Sequence, residues 1–548
     1  MGIRDRSSRG ARGTVGAAAV AVMLVATACS GGGNSSDSAN GKSGDIKTLV
    51  IARNMDLTST DPSQAICDTC QFVFSATYET LVGLSDDNHT LTPRLAKSWD
   101  ANDNNTKYTF HLDPKAKFGD GSPVTSADVK FSLLRLKNLK GSASYLAKSI
   151  DTISTPDPKT VIFKLQAPNS EFPNIVNAPY TAIINSKLAK QHGASDASNA
   201  PKKDSAEKWF QSHSAGSGPY QLASFTEDSE VTLTANPNYW GTPPPIKRVV
   251  VKQAKTAASQ AQMLQSGDAD LAMQIDPVTA KSLQGRPGVT VKTIPSFNFF
   301  WLGMSPNIKV NTQAPLNDKI RKAVRLAIDY KALLNTMVAA QGRLQASPIP
   351  NGYPGSAGLP LPQTDVNQAK QLLAQAGVSN GFSVTLGYPA INAYGIDLGQ
   401  LAQLLQSQLK KVNVNVKLRP ATFAVNISDY TANKLPMNLL YWAPDYFGTT
   451  QYFDYFGQIP GSSWSQRSAE SPTAPPVIDK TETELFNKAL KSTDPSQRNS
   501  YFGQGARQMI NNAVTIPLFS PHLVLAYRDD LKGVGYSACC NIKLWSLS

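Results

Sequence analysis

Histidine and cysteine are scarce: five of each in 548 residues. His89, His111, His192, His213 and His522 never fall into His-Glu-x-x-His, the spacing that puts two imidazoles on one helical face for zinc. No Gly-x-Ser-x-Gly elbow is present, and no glycine-rich dinucleotide fingerprint follows a strand. The chain therefore carries no compact signature of hydrolytic, metal or redox catalysis, and no cofactor or metal is expected. Basic runs are missing too. Lys and Arg number 53 against 40 Asp and Glu, a net +13, yet they are spread along the chain without a cluster of interleaved aromatics. That pattern argues against a nucleic-acid surface and for a solvated basic exterior. Beyond residue 28 there is no long apolar run, so the body is expected to be soluble.

What is present begins at the N-terminus. Arg4, Arg6, Arg9 and Arg12 precede an apolar stretch of small and aliphatic residues from Val15 to Ala28. This reads as a secretory signal peptide over 1–28. It ends in Ala26-Thr27-Ala28-Cys29, which resembles a bacterial lipobox with Ala26 where Leu is usual. That resemblance implies cleavage before Cys29 and a lipid on its thiol. No twin-arginine pair is present, which favours the general secretory route. Residues 29–45 hold the anchor and a Gly/Ser/Asn-rich stretch with too little apolar surface to fold, hence a flexible tether. Four cysteines then remain: Cys67, Cys70, Cys539 and Cys540. Export to an oxidising space makes two disulfides plausible, with three pairings open. A Cys67–Cys70 bridge is easier to build than a ring between the adjacent Cys539 and Cys540. Cys67-Asp68-Thr69-Cys70 has no partner motif and no nearby His, which excludes the zinc reading.

Periodicity gives the layer pattern. Thr48–Ala52 reads as a buried strand; 107–112, 160–165 and 230–235 alternate apolar and polar as half-buried strands. Ile320, Ala323, Val324, Ala327 and Ile328 recur at helical spacing behind a cap at Asn317. A helix from Asp365 to Gly377, a strand at 382–388, a helical stripe from Leu398 to Leu409, a strand at 412–418 and an apolar strand at 437–442 follow. Strands alternating with helices make an α/β sheet. In such sheets ligands bind beyond the carboxyl ends of the strands, which singles out Tyr388-Pro389 and Trp442 to Tyr446.

Several ordered segments then point to a family. They are Tyr78-Glu79-Thr80-Leu81-Val82, Thr92-Pro93-Arg94-Leu95-Ala96-Lys97-Ser98-Trp99 and Lys117-Phe118-Gly119-Asp120-Gly121 through Val129. Gly216-Ser217-Gly218-Pro219-Tyr220, Asn236-Pro237-Asn238-Tyr239-Trp240 and Asn317 through Asp329 follow in order. Together they resemble the landmarks of family 5 extracellular solute-binding proteins, the dipeptide- and oligopeptide-binding group. The resemblance implies an α/β, two-lobed periplasmic-binding-protein fold of type II, in its large three-domain form. Domain I would comprise 46–76, 183–297 and 518–548; domain II, inserted, 77–182; domain III, 298–517. The implied function is an extracytoplasmic receptor of an ABC importer. It would bind peptides or similar small solutes, deliver them to membrane permease subunits, act as a monomer, and sit on the outer face of the cell membrane through Cys29.

The resemblance also implies a site. Peptide-binding members pair the peptide α-ammonium with an Asp in a Trp-x-x-Asp-Tyr segment, and Trp442-Ala443-Pro444-Asp445-Tyr446 resembles it. Asp445 is then the cation anchor, with Trp442 and Tyr446 beside it. Relatives often continue with Asp-Pro or Glu-Pro, whereas Phe447-Gly448-Thr449 follows here, so the solute class stays open. Two further segments align with ligand-contacting loops: Ile66 to Cys70, contributing Ile66 and Asp68, and Phe299-Phe300-Trp301, which either lines the pocket or fills the core. An oligosaccharide, metal-chelate or opine-like solute on the same fold is the alternative. A sensory role for the same cleft, and a secreted envelope hydrolase, are the competing readings of other classes.

Overall fold

The computed structural model describes residues 47–305, 316–467 and 477–548. The expected signal segment 1–28, the lipidated Cys29 and the tether to 45 lie outside these residues.

The first strand, β1 (Thr48–Arg53), is aliphatic on both faces, and Leu49, Ile51 and Ala52 are fully buried. A strand of that composition fits the middle of a sheet. It pairs in parallel with Arg248–Gln253 on one side and Leu271–Ala272 on the other. Antiparallel strands Glu230–Ala235 and Tyr220–Thr226 extend one edge, and Leu523–Arg528 and Val289–Ile294 the other, giving seven strands.

Helix α1 (Asp68–Thr77) starts beside the carboxyl end of β1, where Asp68 meets Arg53, and its N-terminus is held in two ways. Asp56 accepts the backbone N–H groups of Asp68 (3.0 Å) and Thr69 (2.8 Å), supplying the carboxylate that free helix donors favour. Cys67 is the N-cap and is joined to Cys70 by a disulfide. Because the bridge closes a short loop, replacing both cysteines by Ser should cost about 2 kcal/mol on the chain-entropy account. A thermal melt with and without a thiol reductant measures it, and the double variant should no longer respond to reductant. The other two candidates, Cys539 and Cys540, are both buried and unbridged in this structure, their Sγ atoms 2.6 Å apart.

Helix α2 (Ser126–Leu139) opens with a Thr125/Asp128 capping box and packs on a four-stranded antiparallel sheet. That sheet runs Ala96–Ala101, Lys107–Leu112, Thr160–Leu165, Ile150–Asp157. From α2, Arg135 reaches both carboxylate oxygens of Asp61 (2.7 and 2.5 Å) and those of Asp204 (2.8 and 3.1 Å). The landmark segments knit together nearby. Glu79 accepts from Arg94 Nε (3.2 Å), Trp240 Nε1 (2.7 Å) and Tyr239 Oη (3.2 Å). Gly216 lets two backbones touch, since a Cβ there would lie 2.0 Å from the Thr77 carbonyl.

The second large sheet has six strands. Its centre, β2 (Phe299–Met304), is buried at every position between Thr515–Pro521 and β4 (Met437–Trp442), both antiparallel to it. β3 (Phe382–Pro389) pairs in parallel with β4 and with Val414–Ala421, and Leu398–Lys410 forms the crossover helix. Asn317 and Asp365 cap their helices as the spacing predicts. The strand expected from Val412 begins instead at Val414, because Asn413 takes a left-handed φ of 62° as the chain leaves the helix.

The chain passes between the two large sheets twice, from Ile294 to Phe299 and from Pro521 to Leu523. The passages lie side by side: Ser296 Oγ donates to the Pro521 carbonyl (2.8 Å), and Ser520 Oγ donates to the Ser296 carbonyl (3.2 Å). Thr515–Pro521 runs across the expected 517/518 boundary and belongs to the six-stranded sheet throughout.

Candidate functional site

Between the two sheets lies a cavity of about 390 Å³. Its walls come from both, at the carboxyl end of β4 and around the start of α1. β4 ends at Trp442, and Ala443-Pro444 turns the chain so that Asp445 points back into the protein.

Asp445 is 2 % exposed. Its Oδ1 accepts from Gln71 Nε2 (3.1 Å) on α1, and its Oδ2 accepts from the Tyr145 hydroxyl. Gln71 Nε2 also bonds the Pro444 carbonyl (3.0 Å), and Gln451 Oε1 takes the Asp445 N–H (2.8 Å). The carboxylate takes its two side-chain donors from α1 and from the turn at Ser142–Ala147, and among the described residues no Lys, Arg or His is ion-paired with it. Burial pushes its carboxyl up to about 7, against the pull of the Tyr145 and Gln71 hydrogen bonds. A buried carboxylate without a countercharge stores the affinity that an incoming cation can realise.

The opposite wall carries Asp56 and Asp68. Asp68 is ion-paired with Arg53 (2.5 Å) and receives the Tyr394 hydroxyl (3.1 Å) and the Asn541 amide. Burial raises its carboxyl, with Arg53 opposing that rise. Asp56 receives the Tyr441 hydroxyl (3.1 Å) in addition to the α1 donors. Aromatic rings complete the enclosure. Trp442 rests on Tyr455 with ring centroids 4.4 Å apart, and Trp301 meets Phe456 edge-on at 5.2 Å. The indole N–H groups of Trp301 and Trp442 are buried and, among the described residues, have no hydrogen-bond partner.

Of the residues singled out from sequence, Ile66, Asp68, Trp301, Trp442 and Asp445 converge on this cavity. Phe299, Phe300 and Tyr446 do not line it. Phe300 faces the helical layer beside Phe519, and Phe299 packs into the aromatic cluster with Tyr452 and Phe456, because a central strand is buried on both faces. Tyr446 turns away from Asp445 and bonds Thr450 (2.7 Å) within the core. Sequence reasoning missed Asp56, Gln71, Tyr145, Tyr394 and Tyr441. Tyr145 sits 300 positions before Asp445 in a short helical turn, and no local spacing signals the pair.

Two lobes joined by two adjacent passages, with a buried carboxylate in the cavity between them, are the build of a solute receptor. The family profile of bacterial extracellular solute-binding proteins, family 5 middle, matches residues 90–464, and the chain belongs to that family. A curated relative, the probable D,D-dipeptide-binding periplasmic protein DdpA of Escherichia coli K12, is 29 % identical over 497 residues, covering 88 % of this chain and 90 % of the relative. Among solved structures, the periplasmic binding protein DppA of Helicobacter pylori in complex with peptide STSA superposes with a TM-score of 0.79. It is 21 % identical, over 91 % of this chain and 97 % of its own. AgaA of A. tumefacien R10, in complex with agropinic acid, gives 0.76 at 23 % identity, over 91 % and 96 %. Both share the fold.

Proposed function

We propose that the protein is the receptor of an ABC-type importer. It captures a peptide-like solute by its ammonium group and hands it to membrane permease subunits. The observation that carries this reading is Asp445, buried at the base of the interlobe cavity with hydrogen-bond donors but no ion-pair partner among the described residues. An α-ammonium placed there gains a charge-assisted bond in a water-poor site, where such bonds are strongest.

In this reading domain I (46–76, 183–297 and the C-terminal stretch) with inserted domain II (77–182) forms one lobe, and domain III from 298 the other. The passages at Ile294–Phe299 and Pro521–Leu523 serve as the hinge. Residues 1–28 direct export, lipidated Cys29 holds the mature protein to the outer face of the cell membrane, and 30–45 is its tether. The receptor works as a monomer and performs no chemical step; ATP hydrolysis belongs to other subunits. The D,D-dipeptide in DdpA's name and the STSA peptide bound to DppA support a peptide. The agropinic acid of AgaA supports the second reading, a non-peptide solute such as an opine or a metal chelate on the same fold.

The test is native mass spectrometry of protein truncated at Cys29 and purified from its own host, with any ligand released under mild denaturation and identified. A released peptide is the expected result. A sugar or chelate keeps the receptor role and removes the ammonium from Asp445. Detectable turnover of the bound compound would overturn the non-enzymatic assignment.

A further inference from the structure

The cavity opens into a larger groove of about 1040 Å³, sharing Asp56, Thr58, Phe423 and Ala424 with it. Charge is distributed unevenly between this cleft and the rest of the chain. The chain as a whole carries +13. The cavity is lined by three carboxylates, Asp56, Asp68 and Asp445, and among the described residues by no Lys, Arg or His. The groove adds Glu227, Asp228, Asp276 and Asp397 against a single cation, Lys255. Of these seven carboxylates only Asp68 has an ion-pair partner among the described residues. Asp276 and Asp397 cap helices, and Asp56 caps α1, so part of their charge is spread over backbone N–H groups. Glu227 and Asp228 stand at a hairpin tip without such compensation. A concave surface of one sign with apolar walls focuses the field toward its axis.

A second observation concerns acceptors. Trp301, fully buried, and Trp442, half-buried, both line the cavity, and among the described residues neither indole N–H has a hydrogen-bond partner. Two idle donors call for carbonyl oxygens on the solute. A polyamine supplies positive charges but no acceptor, whereas a peptide backbone supplies both.

Resting on the receptor reading above, we infer that the solute is a basic peptide. Its terminal ammonium lies on Asp445, its first carbonyls face the Trp301 and Trp442 indoles, and its cationic side chains run outward along the acidic groove. The groove discriminates against solutes with acidic side chains, because one lysine cannot offset its carboxylates.

The experiment is calorimetric titration of ligand-free wild-type protein with trilysine, trialanine, N-acetyl-trialanine, triglutamate and spermidine, at low and moderate salt. Trilysine should bind at least about tenfold tighter than trialanine at low salt, with the gap narrowing as salt screens the groove. Triglutamate should bind weakest of the free peptides. Glu227→Gln/Asp228→Asn should narrow the trilysine–trialanine gap; Asn tolerates the left-handed φ of 56° at position 228. Trialanine matching or exceeding trilysine overturns the inference while leaving the Asp445 anchor intact, provided N-acetyl-trialanine binds poorly. N-acetyl-trialanine binding as well as trialanine overturns the anchor itself. Spermidine binding with no tripeptide bound overturns the peptide assignment, and no binding by any probe overturns both.

Discussion

Asp445→Asn is expected to weaken binding of an ammonium-bearing solute by about 10²-fold or more, the loss that follows removal of one member of a buried charge pair, roughly 2–5 kcal/mol. The amide keeps the shape and can still accept from Gln71 or Tyr145, so the change isolates the charge. The ligand-free protein should respond in the opposite direction. Burial raises the Asp445 carboxyl from 3.8 to about 7. Between those values the folded protein holds a proton that the unfolded chain has released, so stability falls as pH rises through the window. The full cost, of order 4 kcal/mol at about 1.4 kcal/mol per unit, is reached above pH 7 and is absent below about pH 4. Asn carries no such cost, so the variant should melt higher than wild type at pH 8 and much like it at pH 4. Binding has the matching sign. The ammonium needs the ionised carboxylate, so affinity should fall about tenfold per pH unit below about 7, with a proton released on binding at pH 6. Titration calorimetry in two buffers of different ionisation heat measures that proton. Unaltered affinity in Asp445→Asn, or no proton release in wild type, would remove Asp445 from the binding site.

The largest stability effect is expected at Arg135, which does not itself line the cavity. Its guanidinium and the carboxylates of Asp61 and Asp204 are essentially inaccessible to water. Both carboxylates use the fixed fork of the guanidinium, a geometry that Lys cannot reproduce. The three residues come from the segment after β1, from α2 and from the stretch after Ala200, so the cluster fastens α2 to two separate parts of the chain. Arg135→Met keeps the bulk but leaves two buried carboxylates facing each other. The expected loss is about 3–5 kcal/mol, the usual result of breaking a buried pair. Burial raises Asp204, but the bonds from Arg135 outweigh it and hold the carboxyl below its ordinary range. Its contribution is therefore present at neutral pH and lost as pH falls through that lowered value. Differential scanning calorimetry on wild type, Arg135→Met, Arg135→Lys and Arg135→Met/Asp61→Asn/Asp204→Asn tests the account. The triple variant should recover part of the loss, since no uncompensated charge remains buried. Equal melting of wild type and Arg135→Met would contradict it.

Much of the fold is legible in local sequence. β1, the caps at Asn317 and Asp365, the Leu398–Lys410 crossover and the strand ending at Trp442 all follow from period and punctuation. These features are set by residues within one element, where side-chain direction is fixed by backbone geometry. The landmark segments that revealed the family are likewise local, although their partners, such as Glu79 with Trp240, lie 161 positions apart.

The site divides differently. Trp442 and Asp445 could be placed at a strand's carboxyl end from sequence, because the α/β layer pattern fixes where such ends open. Which of Phe299, Phe300 and Trp301 reaches the cavity could not, since all three are equally apolar and equally buried. Their roles depend on what packs against each face of β2. Tyr145, Gln71, Tyr394 and Tyr441 became site residues only when the lobes came together, because their contacts span segments with no periodic relation. By itself the sequence determined the α/β layers, the family and the position of the Trp442–Tyr446 segment at a strand's carboxyl end, all written in short-range pattern. The tertiary structure alone decided that Asp445 is buried without a cation and that acidic groups gather in the cleft of a basic protein. Both are sums over distant residues, and charge and burial act through space rather than along the chain.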